Sequence, residues 1–118
     1  MEQSYSIKLN KLITDIELAE VYLPENSDGI EITSPEVERP GLALTGFFEK
    51  YERTRIQIFG RAEVAYLENL SDAERDVHIE NFMNLEPVAV IFSSDLPVFD
   101  EILKYAKLHG TPVLSSSR

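Results

Sequence analysis

Three stretches of this chain hold residues that could act on a ligand. Gly41-Leu42-Ala43-Leu44-Thr45-Gly46 has the glycine spacing of half a phosphate-binding loop. Such a loop then needs a lysine for the phosphate charge and a serine or threonine for Mg²⁺, and Phe47 and Phe48 stand there instead. Without the lysine no nucleotide site is expected, and the two glycines read as a helix opening and a point of close helix packing. Ser93-Ser94-Asp95 follows the apolar run Val88–Phe92. Ligands in open α/β sheets favour the carboxyl ends of strands, so this loop is a candidate small-molecule contact. The competing reading is an N-cap, with Ser94 or Asp95 supplying the oxygen ahead of Pro97. The third stretch is basic: Arg39, Lys50, Arg53, Arg55 and Arg61 face only Glu49 and Glu52 between residues 39 and 61. Arg39, Arg53, Arg55 and Arg61 are candidates for an interface or an anion contact, with ordinary surface charge and internal ion pairs as the alternative.

Other chemistry is sparse. His78 and His109 are the only histidines, and neither falls in a metal-ligand spacing. His78 reads as a solvated helix residue and His109 as a cap on carbonyls at a helix C-terminus. No carboxylate sits in a context that suggests burial, so no acid/base pair can be nominated. The absence of cysteine excludes disulfides and thiolate chemistry.

The elements that would carry these residues follow from pattern. Tyr5–Leu9 suggests a short strand, and Lys8–Ile16 a brief helix with Leu9, Leu12, Ile13 and Ile16 inward. Leu18–Leu23 reads as a strand stopped by Pro24, and Ile30–Thr33 as another. Between them lies Asn26-Ser27-Asp28-Gly29, whose residue types tolerate positive φ. Pro40 fits the first turn of a helix with Leu42, Leu44, Phe47, Phe48 and Tyr51 on its apolar face. Arg55–Phe59 is then a strand, and Arg61–Leu70 a helix with Val64, Tyr66 and Leu67 inward. Ser71-Asp72-Ala73-Glu74 is a capping box opening a helix that carries Val77, Phe82 and Met83. Val88–Phe92 suits a strand covered on both faces. Pro97–Leu108 reads as a helix closed by Gly110, and Thr111–Leu114 as a strand. Strand, helix, strand over so short a distance is a βαβ unit with parallel strands. The expected architecture is a layered α/β sandwich with a small, mostly parallel central sheet.

With 118 residues, 43% of them apolar, the chain can bury one core of ordinary size. Its net charge is −10, distributed as −7 over residues 1–38, +3 over 39–61 and −6 over 62–118. That balance argues against nucleic-acid or anionic-membrane partners, which need clustered Lys and Arg. Met1-Glu2-Gln3-Ser4-Tyr5 lacks the charge and apolar run of a signal peptide. No apolar stretch approaches the roughly 20 residues needed to span a bilayer. A cytoplasmic location is expected.

The blocks Arg39-Pro40-Gly41-Leu42-x-Leu44-x-Gly46, Arg55-Ile56-Gln57-Ile58-x-Gly60 and Glu63-x-x-Tyr66-Leu67 resemble the N-terminal domain of bacterial HPr kinase/phosphorylase. Thr111-Pro112-Val113-Leu114 matches as well, while Ser34-Pro35-Glu36-Val37 departs at the turn before the first block. Enzymes of that family add phosphate to, and remove it from, a serine of the phosphocarrier HPr. They thereby control the sugar phosphotransferase system and carbon catabolite repression. The resemblance implies a fold like the N-terminal domain of a Mur ligase. It also implies a parent chain that uses ATP and Mg²⁺ in a separate C-terminal kinase domain and forms hexamers built on those domains. HPr and the attached kinase domain are the partners so implied, with salt-dependent self-association through the basic band as a further expectation. None of the family's catalytic motifs lies in these residues, so no catalytic, cofactor-binding or metal-binding residue carries over. Residues 1–114 would be the domain and 115–118 the start of a linker. Two competing readings stand beside this one: a stand-alone α/β module that senses a small molecule, and a small hydrolase using loop carboxylates.

Overall fold

The Val88–Phe92 run becomes the centre of the molecule because alternate side chains along it must be covered from opposite sides. In the computed structural model, which describes residues 5–49 and 51–118, every residue of β6 (Val90–Phe92) is buried. Met1–Ser4 and Lys50 lie outside the described residues, and with them most of the N-terminal segment and one member of the basic band.

Before β6 come β1 (Ile7–Lys8), α1 (Leu9–Asp15), β2 (Ala19–Tyr22), β3 (Glu31–Ile32), β4 (Val37–Glu38), α2 (Gly41–Leu44), β5 (Ile56–Phe59), α3 (Arg61–Glu68) and α4 (Asp72–Met83). After it come α5 (Asp100–His109) and β7 (Val113–Ser115). The five-stranded sheet has the order β2-β7-β6-β5-β4. β4, β5, β6 and β7 are mutually parallel, and β2 lies antiparallel on β7. β1 and β3 form a separate antiparallel ribbon with Ile7 opposite Ile32. The sheet is therefore mostly parallel, as the β6–α5–β7 unit requires.

Two apolar layers hold it. On one face Phe59, Val90, Phe92 and Val113 pack against Leu44, Val64, Ile79, Phe82 and Ile102 of the helices. Phe59 stacks on Phe92 at 4.6 Å and meets Phe82 edge-on at 5.6 Å, offset and T-shaped geometries that the ring quadrupoles favour. On the other face Ile56, Ala89, Ile91 and Leu114 meet Leu9, Ile13, Leu18 and Ile32.

Several sequence expectations change. The helix expected through Tyr51 is a single turn: Gly46 takes φ +101°, and the Gly46 and Phe47 N–H groups turn back to the carbonyls of Ala43 and Leu42 at 3.1 and 3.0 Å. This is a Schellman ending, for which a glycine is preferred. Pro40 sits just outside the turn, not within it. Leu42, Phe47 and Phe48 are consequently exposed instead of forming a core face. Gly46 gives no close helix contact either, since a Cβ there would meet nothing within 4 Å. Ile16 and Val77 are exposed, and Ile79 takes the buried place on α4.

α5 starts at Asp100, later than expected, because Phe99 keeps an extended backbone and Leu96, Val98 and Phe99 anchor in the helix-side core. Asn26–Gly29 forms a 3₁₀ turn over Ser27–Gly29, and positive φ among the glycines occurs only at Gly46 and Gly110. Gly110 closes α5 in the left-handed conformation, with the Thr111 N–H reaching the Ala106 carbonyl at 2.9 Å. β7 runs one residue past Leu114, so Ser115 belongs to the sheet.

Candidate functional site

Four parallel strands end on one edge of the sheet, and the residues that follow them, Arg39, Gly60, Ser93 and Ser116, gather there. The central interaction is made by Glu63, whose side chain is almost wholly buried. Its Oε1 accepts the Gly60 N–H at 2.7 Å, half of a capping box that starts α3. The same oxygen accepts Arg39 Nη2 at 2.7 Å and Nε at 3.0 Å. Gly60 permits this approach, because a Cβ at that position would stand 2.6 Å from Arg39 Nη2. From the sequence no carboxylate has a burying context, yet Glu63 is buried. The available signal was Glu63 three residues after a glycine that closes a strand, the N3 place of an incoming helix.

The arginines do not act as one basic patch. Arg55 pairs with Glu36 at 2.7 Å and Glu38 at 3.0 Å, at the opposite end of the β4–β5 pair from Arg39. Arg53 and Arg61 are exposed and form no ion pair among the described residues. Carboxylates from the flanking acidic segments thus neutralise Arg39 and Arg55. Beside them lies Gln57, fully buried: its Nε2 donates to Glu38 Oε2 at 3.2 Å while Oε1 has no partner among the described residues. In the sequence Gln57 is only one polar residue within an expected strand.

The Ser93–Asp95 loop is occupied by the chain itself. Ser93 donates its N–H and hydroxyl to the Phe59 carbonyl at 3.0 and 3.2 Å. Ser94 and Asp95 both adopt left-handed φ, 54° and 52°. Their N–H groups reach the carbonyls of Arg118 at 2.7 Å and Ser116 at 2.9 Å. The loop therefore grips the segment leaving β7. The N-cap reading fails: the position before α5 is Phe99, with no side-chain cap, and Asp95 lies too far upstream.

Both histidines are tied down. A carbonyl can only accept, so the 2.8 Å contact to Leu44 O puts a proton on His78 Nδ1; the Tyr66 hydroxyl, 3.3 Å from the same nitrogen, cannot then donate to it. His78 is thus a bridge from α4 to α2, not a solvated residue. His109 turns to Asn84 Oδ1 at 2.8 Å and Glu86 at 3.4 Å, and so ties the end of α5 to the end of α4 instead of capping its own helix.

Around α2 opens a shallow cleft of ≈ 120 Å³. Leu42, Ala43, Phe47 and Tyr51 form its apolar side, Glu38 and Arg39 its polar rim. Burial pushes the Tyr51 phenol well above its ordinary range, so it stays neutral. The residues here do not fit ATP and Mg²⁺. Gly41 opens only one helical turn, Glu63 Oε2 stands 3.6 Å from where a Gly41 Cβ would be, and Phe47 and Phe48 replace the lysine and hydroxyl ligand. A carboxylate at that distance repels phosphate. Among the described residues no group of three His, Asp or Glu side chains could hold a metal ion, and no helix is long and apolar enough to cross a membrane.

A family model described as HPr Serine kinase N terminus matches residues 7–118. The HPr kinase/phosphorylase of Streptococcus uberis is 33% identical over 111 residues, which is 94% of this chain and 36% of that protein. That of Enterococcus faecalis is 34% identical over 110 residues, 93% of this chain and 35% of the relative. That of Lactiplantibacillus plantarum is 38% identical over 86 residues, 73% of this chain and 27% of the relative. The chain spans about a third of the length of the curated relatives it matches.

Proposed function

The chain belongs to the HPr serine kinase N-terminal family, and from that premise we propose that it is the accessory, regulatory domain of a bifunctional HPr serine kinase/phosphorylase, without catalytic activity of its own. The observation that carries this is the mismatch of coverage: 94% of this chain aligns with only 36% of a relative named for the activity. The site chemistry agrees. Glu63 is consumed by Arg39 and Gly60, and the glycine-spaced segment is a helical turn facing a carboxylate. In this reading ATP and Mg²⁺ are held by the downstream part of the parent chain, HPr is its protein substrate, and the parent works in the cytoplasm on sugar-transport control.

The test is direct. Residues 1–118, mixed with HPr, ATP and Mg²⁺, should give no phosphoserine, while the full-length product of the same reading frame should give it readily. Phosphorylation by the fragment alone, or a full-length protein inert toward HPr, overturns the proposal.

A further inference from the structure

Leu42, Phe47 and Phe48 are 61%, 43% and 40% exposed, three large apolar side chains on one turn and its C-terminal ending. The turn that carries them is fixed from beneath: Ala43 and Leu44 are buried, and His78 Nδ1–H holds the Leu44 carbonyl at 2.8 Å. The cleft between Leu42, Phe47 and Tyr51 is large enough to take an apolar side chain and too small for a nucleotide.

Resting on the functional reading above, we propose that this surface is the docking site for the downstream domain of the same polypeptide. Two observations choose that occupant. The first is position. β4 leads into the exposed turn and β7 leads into Ser116–Arg118, and both strands end on the same edge of the sheet. The Ser94 and Asp95 N–H groups hold the departing segment against that edge. In a family named for the N-terminus, the remaining two-thirds of a relative's length continues from there. Three strand spacings separate the exit from the apolar turn, about 14 Å, well within the reach of a folded domain.

The second observation is size and charge. Three side chains beside a ≈ 120 Å³ cleft fall well short of the roughly 800 Å² per partner that a stable free dimer buries. Two copies would also each bring a net charge of −10. A tethered partner escapes the limit of area, since a short link supplies an effective concentration in the millimolar range.

Hydrogen exchange on the full-length protein and on residues 1–118 decides the matter. The peptide spanning residues 41–48 should exchange about tenfold more slowly in the full-length protein, equivalent to ~1.4 kcal/mol of added protection. Leu42→Asp with Phe47→Asp should return full-length exchange to the fragment's rate, and the fragment bearing both changes should keep its far-UV spectrum and melt, since both side chains are exposed. Equal exchange in the two proteins overturns the docking. So does protection that appears in the fragment as its concentration rises, which would mean a second copy. A full-length protein that phosphorylates HPr with an unprotected turn removes the docking alone; one inert toward HPr removes the functional reading.

Discussion

Breaking the Arg39–Glu63 pair should reveal how much of this edge is held by one carboxylate oxygen. Glu63→Ala removes three acceptances at Oε1: Gly60 N–H at 2.7 Å, and Arg39 Nη2 and Nε at 2.7 and 3.0 Å. The Gly60 N–H is buried and would be left without a partner, a cost of about 1–3 kcal/mol. The ion pair adds only about 1 kcal/mol, because the Arg39 side chain is 57% exposed while that of Glu63 is 6% exposed. The sum is about 2–4 kcal/mol, or a fall in melting temperature of about 8–16 °C for a domain of this size. Arg39→Ala leaves the carboxylate with a single donor and should cost about 1–3 kcal/mol. The double substitution should cost less than the two single changes added together, by about 1–2 kcal/mol. Gly60→Ala provides an independent check: its Cβ would displace the guanidinium, 2.6 Å away, yet leave the Glu63 cap in place, so it should resemble Arg39→Ala more than Glu63→Ala. Thermal and urea melts of all four variants measure this. Strict additivity of the two single changes would refute the coupling.

Gly46→Ala and Gly46→Leu should destabilise by similar amounts, about 1–2 kcal/mol, because the cost lies in φ +101° and nothing stands within 4 Å of the new Cβ; a much larger loss for leucine would restore the packing argument. Ser71→Ala should lower stability by about 1 kcal/mol, since Ser71 Oγ accepts the Glu74 N–H at 3.2 Å and donates to Glu74 Oε1 at 2.9 Å; an unchanged melt would remove the cap from the account. Asp76 accepts Lys104 Nζ at 2.7 Å and Tyr105 Oη at 2.8 Å, which hold its carboxyl below and the Lys104 ammonium above their ordinary ranges. A depressed carboxyl stabilises the fold above its unfolded pKa of about 3.9 and loses that contribution as pH falls through the folded value. A raised lysine stabilises it below about 10.4 and loses that contribution as pH rises through its own folded value. Asp76→Asn should therefore lower the melt at pH 7 and converge with the parent chain in strong acid; a pH-independent difference would contradict the linkage.

The sheet was legible where chemistry repeats. The apolar run had to be covered on both faces, and is so over Val90–Phe92, two residues shorter than the expected strand from Val88; Ser71 and Glu74 cap, and Gly110 turns left-handed. What escaped were effects decided by partners far along the chain. Apolar content alone could not tell that Gly46 ends α2 after one turn, so Phe47 and Phe48 counted as core residues. Arg39 and Arg55 count as free charge in the sequence because their partners Glu36, Glu38 and Glu63 lie outside that window while standing against them in space. Asp95 offered a plausible cap, but the anchoring of Val98 and Phe99 in the core moved the start of α5 downstream.

The antiparallel β2 has a consequence for how the polypeptide is made. Ala19 is synthesised early, yet its ladder partner is Ser115. At about 5–20 residues per second on the ribosome, the partner strand follows about 5–20 s later. Until β5 and β6 are made Leu9, Ile13 and Leu18 have no sheet to cover, and until β7 arrives β2 presents an unpaired edge. The last strand made is the one that β2 and β6 both need, so this sheet closes as a late, nearly all-or-none event. A nascent chain stalled before residue 113 keeps that apolar layer open to chaperones, and release of the final strand is what ends the exposure.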